Sequence, residues 1–485
     1  MDEDLCYISA AEALRRFAER SLSPVELLKA QLSRLHASQA HINAASFIYE
    51  EDALAAARES ERRYFITDGQ PRPLEGIPTA IKDESSIAGK ITTYGSLIYK
   101  DNVAETTTPV VQRLMDAGVI VHARTTTPEF SCTGFTHSRL WGVTRNPWNP
   151  AYTPGGSSGG SGASLASGTS TLATGSDIGG SIRIPASACG VVGFKPPYGR
   201  NPSTAPFNLD FFNHPGPMAR SVEDCLLMQN VMCGPHPLDN ASLRPKLAMK
   251  PNREGVAGWK VAYSLDLGYF EVDDEVRQNT LAALDVFRSL GATVEEVDLG
   301  WTIESQTAAL DYLHMIFGSW ISVYLDERGE QLTSYARHFG ESARGTTGQD
   351  FLKALNTCAG MYSSLGPILE KYDVFICPTL AVPAVPADQD PVGSGLHING
   401  KSVHPFVGWT MTYPFNMLSR CPVLAVPSGH AKSHVPTGIQ IVGRTYCDES
   451  VFQAGLAYEA EVDGWFRSSQ ARPVIPLPEN APAAV

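Results

Sequence analysis

Residues 153–185 read TPGGSSGGSGASLASGTSTLATGSDIGGSIRIP, and the fold turns on what this stretch is. Two Gly/Ser clusters, 155–162 and 175–181, frame a run of small residues that can pack closely against other backbone. Such composition is common in flexible linkers. A linker, however, has no use for Leu165, Leu172, Ile178, Ile182 and Ile184, or for Asp177 and Arg183 in and beside the second cluster. The glycines are better read as backbone tools. Acyl chemistry needs a nucleophile and backbone N–H donors aimed at a developing oxyanion, and glycine lets a chain approach a substrate closely and turn through positive φ. Asp177-Ile178-Gly179-Gly180-Ser181 suits that task, presenting Ser181 beside the N–H groups of Ile178, Gly179 and Gly180. The first cluster offers Ser157 and Ser158 among four glycines.

Gly155-Gly156-Ser157-Ser158-Gly159-Gly160, followed by Ser176-Asp177-Ile178-Gly179-Gly180-Ser181-Ile182-Arg183-Ile184-Pro185, resembles the two hallmark blocks of the amidase signature family. Ser157 and Ser181 are 181 − 157 = 24 positions apart, as in that family. Gly76-Ile77-Pro78-Thr79-Ala80-Ile81-Lys82-Asp83 matches its GIP-x-x-x-KD segment. The resemblance implies a catalytic set of Ser181 as nucleophile, Ser157 as bridging serine and Lys82 as base, with Gly156–Ser157 a cis peptide.

The chemistry has its own requirements. A serine hydroxyl is a poor nucleophile until a base takes its proton, and a lysine whose ordinary pKa is about 10.4 is a base only when neutral. Burial disfavours the ammonium. Lys82 is therefore expected in a closed, weakly solvated pocket with no carboxylate in contact, and Ser157 is expected to pass the proton between Ser181 and Lys82. Ile77, Thr79 and Ile81 alternate with Pro78, Ala80 and Lys82, a strand pattern. Ser158 is read as a hydrogen-bonding neighbour. Asp177 and Arg183 can bind a charged substrate group or pair with one another, and mutual pairing that holds the loop is the preferred reading.

The chain has 485 residues, 43% hydrophobic and 18% charged, enough for a large core. Length alone suggests about three domains, but no charged or low-complexity linker divides the chain. It is read as one amidase domain over 1–485, with N-terminal helices in 1–70, the signature core at about 71–230 and a variable helical substrate-pocket region at about 300–372. A net charge of −13, with the acidic residues scattered, argues against nucleic acid or an anionic membrane as partner. Nine irregularly spaced cysteines without a CxxC pair indicate neither a disulfide framework nor a zinc site. The acidic start MDEDLCYISAAEALRRF is unlike a signal peptide, and no apolar run approaches membrane-spanning length. A cytoplasmic protein, monomeric or homodimeric, is expected. No HExxH, P-loop or dinucleotide fingerprint occurs, so no metal or organic cofactor is implied.

Periodicity predicts helices at 9–20, 23–36 (opening with the capping box Ser23-Pro24-Val25-Glu26), 51–64 and 108–117. Strands are predicted at 74–83, 119–124, 170–175, 259–263, 293–297, 374–378, 423–427 and 436–443. The βαβ rhythm of 259–297 supports an α/β fold with a mostly parallel sheet covered by helices. That agrees with the resemblance, which implies a large mixed central sheet with helices on both faces. It extends to Asn146-Pro147-Trp148 and to the C-terminal blocks Pro414-Phe415-Asn416 and Pro436-Thr437-Gly438-Ile439-Gln440-Ile441-Val442-Gly443. Arg420-Cys421-Pro422 departs from the family's usual Gly-x-Pro. Phe207, Phe211 and Phe212 crowd one loop and are read as a substrate-binding wall. His214, which follows them, is read as a satisfied or surface histidine.

The leading function is a serine amidohydrolase that cleaves C–N bonds of aryl or hydrophobic amides through an acyl-enzyme, with carbamates, urethanes and esters open to the same attack. Its partner is a small amide or carbamate. An alternative within the resemblance is the glutamine-hydrolysing component of a tRNA-dependent amidotransferase. Gly155-Gly156-Ser157-Ser158-Gly159 also satisfies the α/β-hydrolase pattern G-x-S-x-G, but a nucleophile elbow needs a strand just before it, and 149–154 reads as a loop. A purely structural or binding role is the remaining class, and the intact Lys82, Ser157 and Ser181 speak against it.

Overall fold

The structure, a computed structural model, describes residues 3–65 and 70–476; the ends of the predicted span 1–485, and 66–69 of the predicted N-terminal helical region, lie outside them. Its framework is one sheet of eleven strands: β1 (Ala45–Ile48), β2 (Pro78–Lys82), β3 (Ile120–Thr125), β4 (Leu172–Asp177), β5 (Val192–Lys195), β6 (His214–Ala219), β7 (Lys260–Tyr263), β8 (Thr293–Glu296), β9 (Val374–Pro378), β10 (Val423–His430) and β11 (Pro436–Val442). Their order across the sheet is β1-β3-β2-β4-β6-β5-β10-β11-β9-β7-β8.

Side chains alternate between the two faces with a period of two, and the two main cores show it. Val374, Ile376, Leu424, Val426, Ile439 and Ile441 point into one cluster with Leu284, Phe287 and Phe452. Phe375, Cys377, Val423 and Val442 point into the other, with Tyr312, Tyr335 and Trp409. Helices Val222–Met232, Asp274–Ser289 and Asp448–Glu461 cover the first face. Glu304–Leu313, Ser334–Gly345 and Gly348–Leu369 lie on the second. Both faces are covered, as expected.

The expected parallel majority is corrected. Four of the ten neighbouring strand pairs among the described residues are parallel, β2–β3, β2–β4, β7–β8 and β7–β9. The other six are antiparallel. The reason lies in the middle of the sheet. There β10 and β11 form a hairpin, and β6 returns between β4 and β5, so antiparallel ladders separate two parallel groups. The capping box forms as predicted: Ser23 Oγ accepts from Val25 N at 3.0 Å, while Glu26 Oε2 accepts from Ser23 N at 2.8 Å. No helix among the described residues is long and apolar enough to cross a membrane.

Candidate active site

The alternation in β2 sets the first side chain. Ile81 faces the cluster containing Leu172 and Phe194, whereas Ala80 faces Ala173 and Ile182. Lys82, two residues on from Ala80, shares that second side, and its side chain is completely buried. The strand end is fixed by Lys82 N donating to Thr174 Oγ1 at 3.0 Å. The amine then meets three oxygens: Ser157 Oγ at 2.7 Å, Ser176 Oγ at 2.8 Å and Glu84 Oε2 at 3.1 Å.

That last contact corrects the expectation of a pocket free of carboxylate. Burial lowers the Lys82 pKa, the Glu84 carboxylate opposes it, and the balance stays below the ordinary lysine value. Burial would raise Glu84, but the facing ammonium and the hydroxyls of Ser131 and Ser176 hold it below its ordinary range. Glu84 also borders the large cavity, with a side-chain exposure of 17%. Glu84 is brought back to the amine by the turn that follows β2, closed by Ser85 N donating to Lys82 O at 3.1 Å. Ser176 lies in the second Gly/Ser block, where local sequence assigns it no role.

Ser157 and Ser158 sit just before the helix Gly159–Ala166. The Gly156–Ser157 peptide is cis, as the resemblance implies. A Cβ on Gly156 would lie 2.3 Å from Phe135 O, so only glycine fits there. Ser158 ties the two blocks together. Its N–H donates to Ser181 O at 3.1 Å, and its Oγ accepts from Ser176 N at 3.3 Å. It is a hydrogen-bonding neighbour, as read from sequence.

Asp177 closes β4 and pairs with Arg183 in a two-pronged contact, Nε to Oδ2 and Nη2 to Oδ1, each 2.9 Å. Both are fully buried. Burial alone would raise the Asp177 carboxyl, but Arg183 and Asn416 hold it below the usual carboxylate range. The remaining guanidinium N–H groups go to Thr412 O, Gln440 Oε1 and Asn416 Oδ1 at 2.9, 2.6 and 2.7 Å. Asn416 and Gln440 come from the two C-terminal blocks that carry the resemblance. Their contribution is to brace this ion pair beneath Ser181.

The Gly179–Gly180 peptide is pinned at both ends. Gly179 O accepts from Thr412 Oγ1 at 2.7 Å, and Gly180 N donates to Asp177 Oδ1 at 2.8 Å. Gly180 has φ +125°, and a Cβ there would lie 1.9 Å from Thr412 Oγ1. This corrects the expected trio of free donors, because the Gly180 N–H serves the loop. The N–H groups of Ile178, Gly179 and Ser181 have no such partner among the described residues. The space in front of Gly179 is open.

Ser181, 6% exposed, lines a small cavity of about 40 Å³ with Ile178, Gly179 and Phe317. Ser131, Ile178 and Phe317 also line an adjoining cavity of about 970 Å³, which takes in Ser157, Ser176, Phe207, Phe211, Tyr312, Trp320 and Phe351. The wall expected of three phenylalanines is therefore two. Phe212 is 1% exposed, stacks on Tyr312 with ring centroids 3.7 Å apart, and belongs to the core. Tyr312, Met315, Ile316, Phe317, Trp320, Phe351 and Leu355 bring the helical region 300–372 into the cavity.

His214 is not at the surface: it is 1% exposed, with the Pro196 backbone as a hydrogen-bonding neighbour of its ring. It stands opposite Asp177 in the β4–β6 ladder. Burial, with Lys195 and Arg183 nearby, holds its ring well below the ordinary histidine pKa and so neutral.

A buried amine on a serine, a second serine in a glycine loop and unpaired N–H groups beside open space together define a site built for acyl chemistry. A model of the Amidase family matches residues 26–452, and the chain belongs to the amidase signature family. It is 34% identical over 473 residues to the acylamidase of Rhodococcus erythropolis, covering 95% of this chain and 96% of that one. It is 32% identical over 464 residues to an amidase of Pseudomonas putida, covering 94% and 96%. One component of the glutamyl-tRNA(Gln) amidotransferase of Carboxydothermus hydrogenoformans is 30% identical to it, covering 95% and 98%. Among solved structures, a bacterial aryl acylamidase of the amidase signature enzymes superposes with a TM-score of 0.87 at 28% identity, covering 94% and 96%.

Proposed function

We propose that the chain is a serine amidohydrolase that cleaves aryl or otherwise hydrophobic amides through an acyl-enzyme on Ser181. The observation that carries the reading is the fully buried Lys82 amine 2.7 Å from Ser157 Oγ. A neutral Lys82 takes the Ser157 proton as Ser157 takes that of Ser181, and Ser181 Oγ bonds to the amide carbonyl carbon. The N–H groups of Ile178, Gly179 and Ser181 are the donors available to the oxyanion. As the C–N bond breaks, the proton returns from Lys82 through Ser157 to the leaving nitrogen, which departs as an amine. Water then attacks the Ser181 ester with the same base, giving the carboxylic acid and free serine.

Three features support the substrate class. The cavity is large and aromatic, the R. erythropolis relative is an acylamidase, and the similar solved structure is an aryl acylamidase. Carbamates and esters present the same carbonyl to the same nucleophile. The amidotransferase relative favours glutamine hydrolysis as a second reading. Against it, the charged side chains lining the large cavity among the described residues, Glu84 and Asp210, are both acidic and offer nothing to the α-carboxylate of glutamine. Nine cysteines, none in a disulfide and eight of them buried, support a reducing, cytoplasmic setting. The test is a side-by-side assay of acyl anilides, aliphatic amides, carbamates and glutamine with the purified chain. Anilide turnover well above glutaminase activity is expected; glutaminase alone would overturn the reading.

A further inference from the structure

Of the two carboxylates that line the large cavity among the described residues, Asp210 is the one with no contact to Lys82. Asp210 lies on the loop between β5 and β6 and is 6% exposed. Its Oδ1 accepts from Tyr312 OH at 2.6 Å and from Phe212 N at 3.0 Å. Oδ2, equally buried, has no hydrogen-bond partner among the described residues. Buried carboxylates are ordinarily paired or fully hydrogen-bonded, because leaving one otherwise is costly. Asp210 instead lines the cavity while its Oδ2, with almost no accessible surface of its own, is spent on no hydrogen bond among the described residues.

The surroundings indicate what that carboxylate is for. Glu84 is answered by Lys82 at 3.1 Å, but no cation stands among the influences on Asp210. Among the described residues no lysine, arginine or histidine lines the cavity, so its field favours a positive guest. Phe211 and Phe351 pack against the Tyr312 ring at centroid distances of 5.3 and 5.4 Å; aromatic faces attract cations, and the Arg420 guanidinium already lies 6.0 Å from the Phe211 centroid.

Resting on the amidohydrolase reading, we propose that Asp210 is a specificity-determining residue whose carboxylate recognises a protonated amine at the end of the substrate remote from the scissile carbonyl. The substrate class is then an apolar amide with a terminal ammonium, its chain lying along the aromatic walls. Burial raises the Asp210 carboxyl to about 6, which leaves it charged at neutral pH, where an alkylamine is protonated.

The test is a ladder of ω-aminoacyl p-nitroanilides of increasing length against their ω-methyl isosteres, assayed on wild type, Asp210→Asn and Asp210→Glu, with folding checked by thermal melting. Wild type is expected to favour at least one aminoacyl substrate by ~10-fold or more in kcat/KM, chiefly through KM. Asp210→Asn should lose that preference, its kcat/KM on the aminoacyl substrates falling about 10-fold further than on their isosteres, and Asp210→Glu should keep most of it. Isosteres cleaved by wild type with no preference at any length would overturn the role of Asp210 alone, even if the Asn variant does not fold. Equal loss on both substrate types in a folded Asp210→Asn would also overturn it. Failure of wild type on every anilide would strike the amidohydrolase reading itself.

Discussion

Lys82 Nζ stands 3.1 Å from Glu84 Oε2 while donating to Ser157 Oγ at 2.7 Å, so the amine is held between a carboxylate and a hydroxyl. The carboxylate favours the ammonium and burial favours the neutral amine. Removing the Glu84 charge should therefore lower the Lys82 pKa further. In Glu84→Gln the rising limb of the kcat/KM–pH profile is expected to move to lower pH, read from the initial rate of anilide hydrolysis. A limb that moves upward would count against Lys82 as the titrating base.

Burial places the Lys82 pKa below its ordinary value of 10.5. The reactive form is the neutral one, so the rate should rise with pH and level off before the ordinary lysine range is reached. A profile flat from about pH 5 to 10 would contradict this assignment. Lys82→Ala should reduce kcat by about 10³-fold or more.

Ser157 is predicted to relay protons without bonding to substrate carbon. Ser157→Ala should lower kcat by about 10²–10⁴-fold, the range of general acid–base contributions. Ser181 should remain in place and still react slowly with an activated carbamate, measured by the release of p-nitrophenol.

The Asp177–Arg183 pair is fully buried and shared with Asn416, Thr412 and Gln440. Asp177→Ala strands a guanidinium in the interior. A loss of about 3–5 kcal/mol in folding stability is expected from urea titration, with Ser181 activity lost alongside because Asp177 also holds the Gly180 N–H.

Much of the scaffold follows from local pattern. The β9 run and the first five residues of β10, Val423–Pro427, are apolar on both faces, as strands covered by helices on both sides must be. What escapes local pattern depends on distant partners. β6 contains Pro215 and Pro217, which argue against a central strand, yet its ladder with β5 reaches only Ala219 and Met218, so the prolines lie beyond it. The helix Arg183–Cys189 carries Pro185 in its first turn, where a missing N–H costs little. Lys82, Ser157 and Ser181 stand out because their motifs are contiguous. Glu84, Asn416, Gln440 and Asp210 do not, since only folding brings each to its contact. The Gly180 N–H looks free in the sequence because nothing local shows that Thr412 fixes the orientation of its peptide.

The central claim is that Ser181 forms the covalent acyl-enzyme. Intact-mass and peptide-mapping mass spectrometry of wild type and Ser181→Ala, after treatment with a fluorophosphonate or an activated carbamate, tests it most directly. One adduct per chain on the peptide holding Ser181, absent from Ser181→Ala, is the predicted result. An adduct on another residue, or one that persists undiminished in Ser181→Ala, would contradict it.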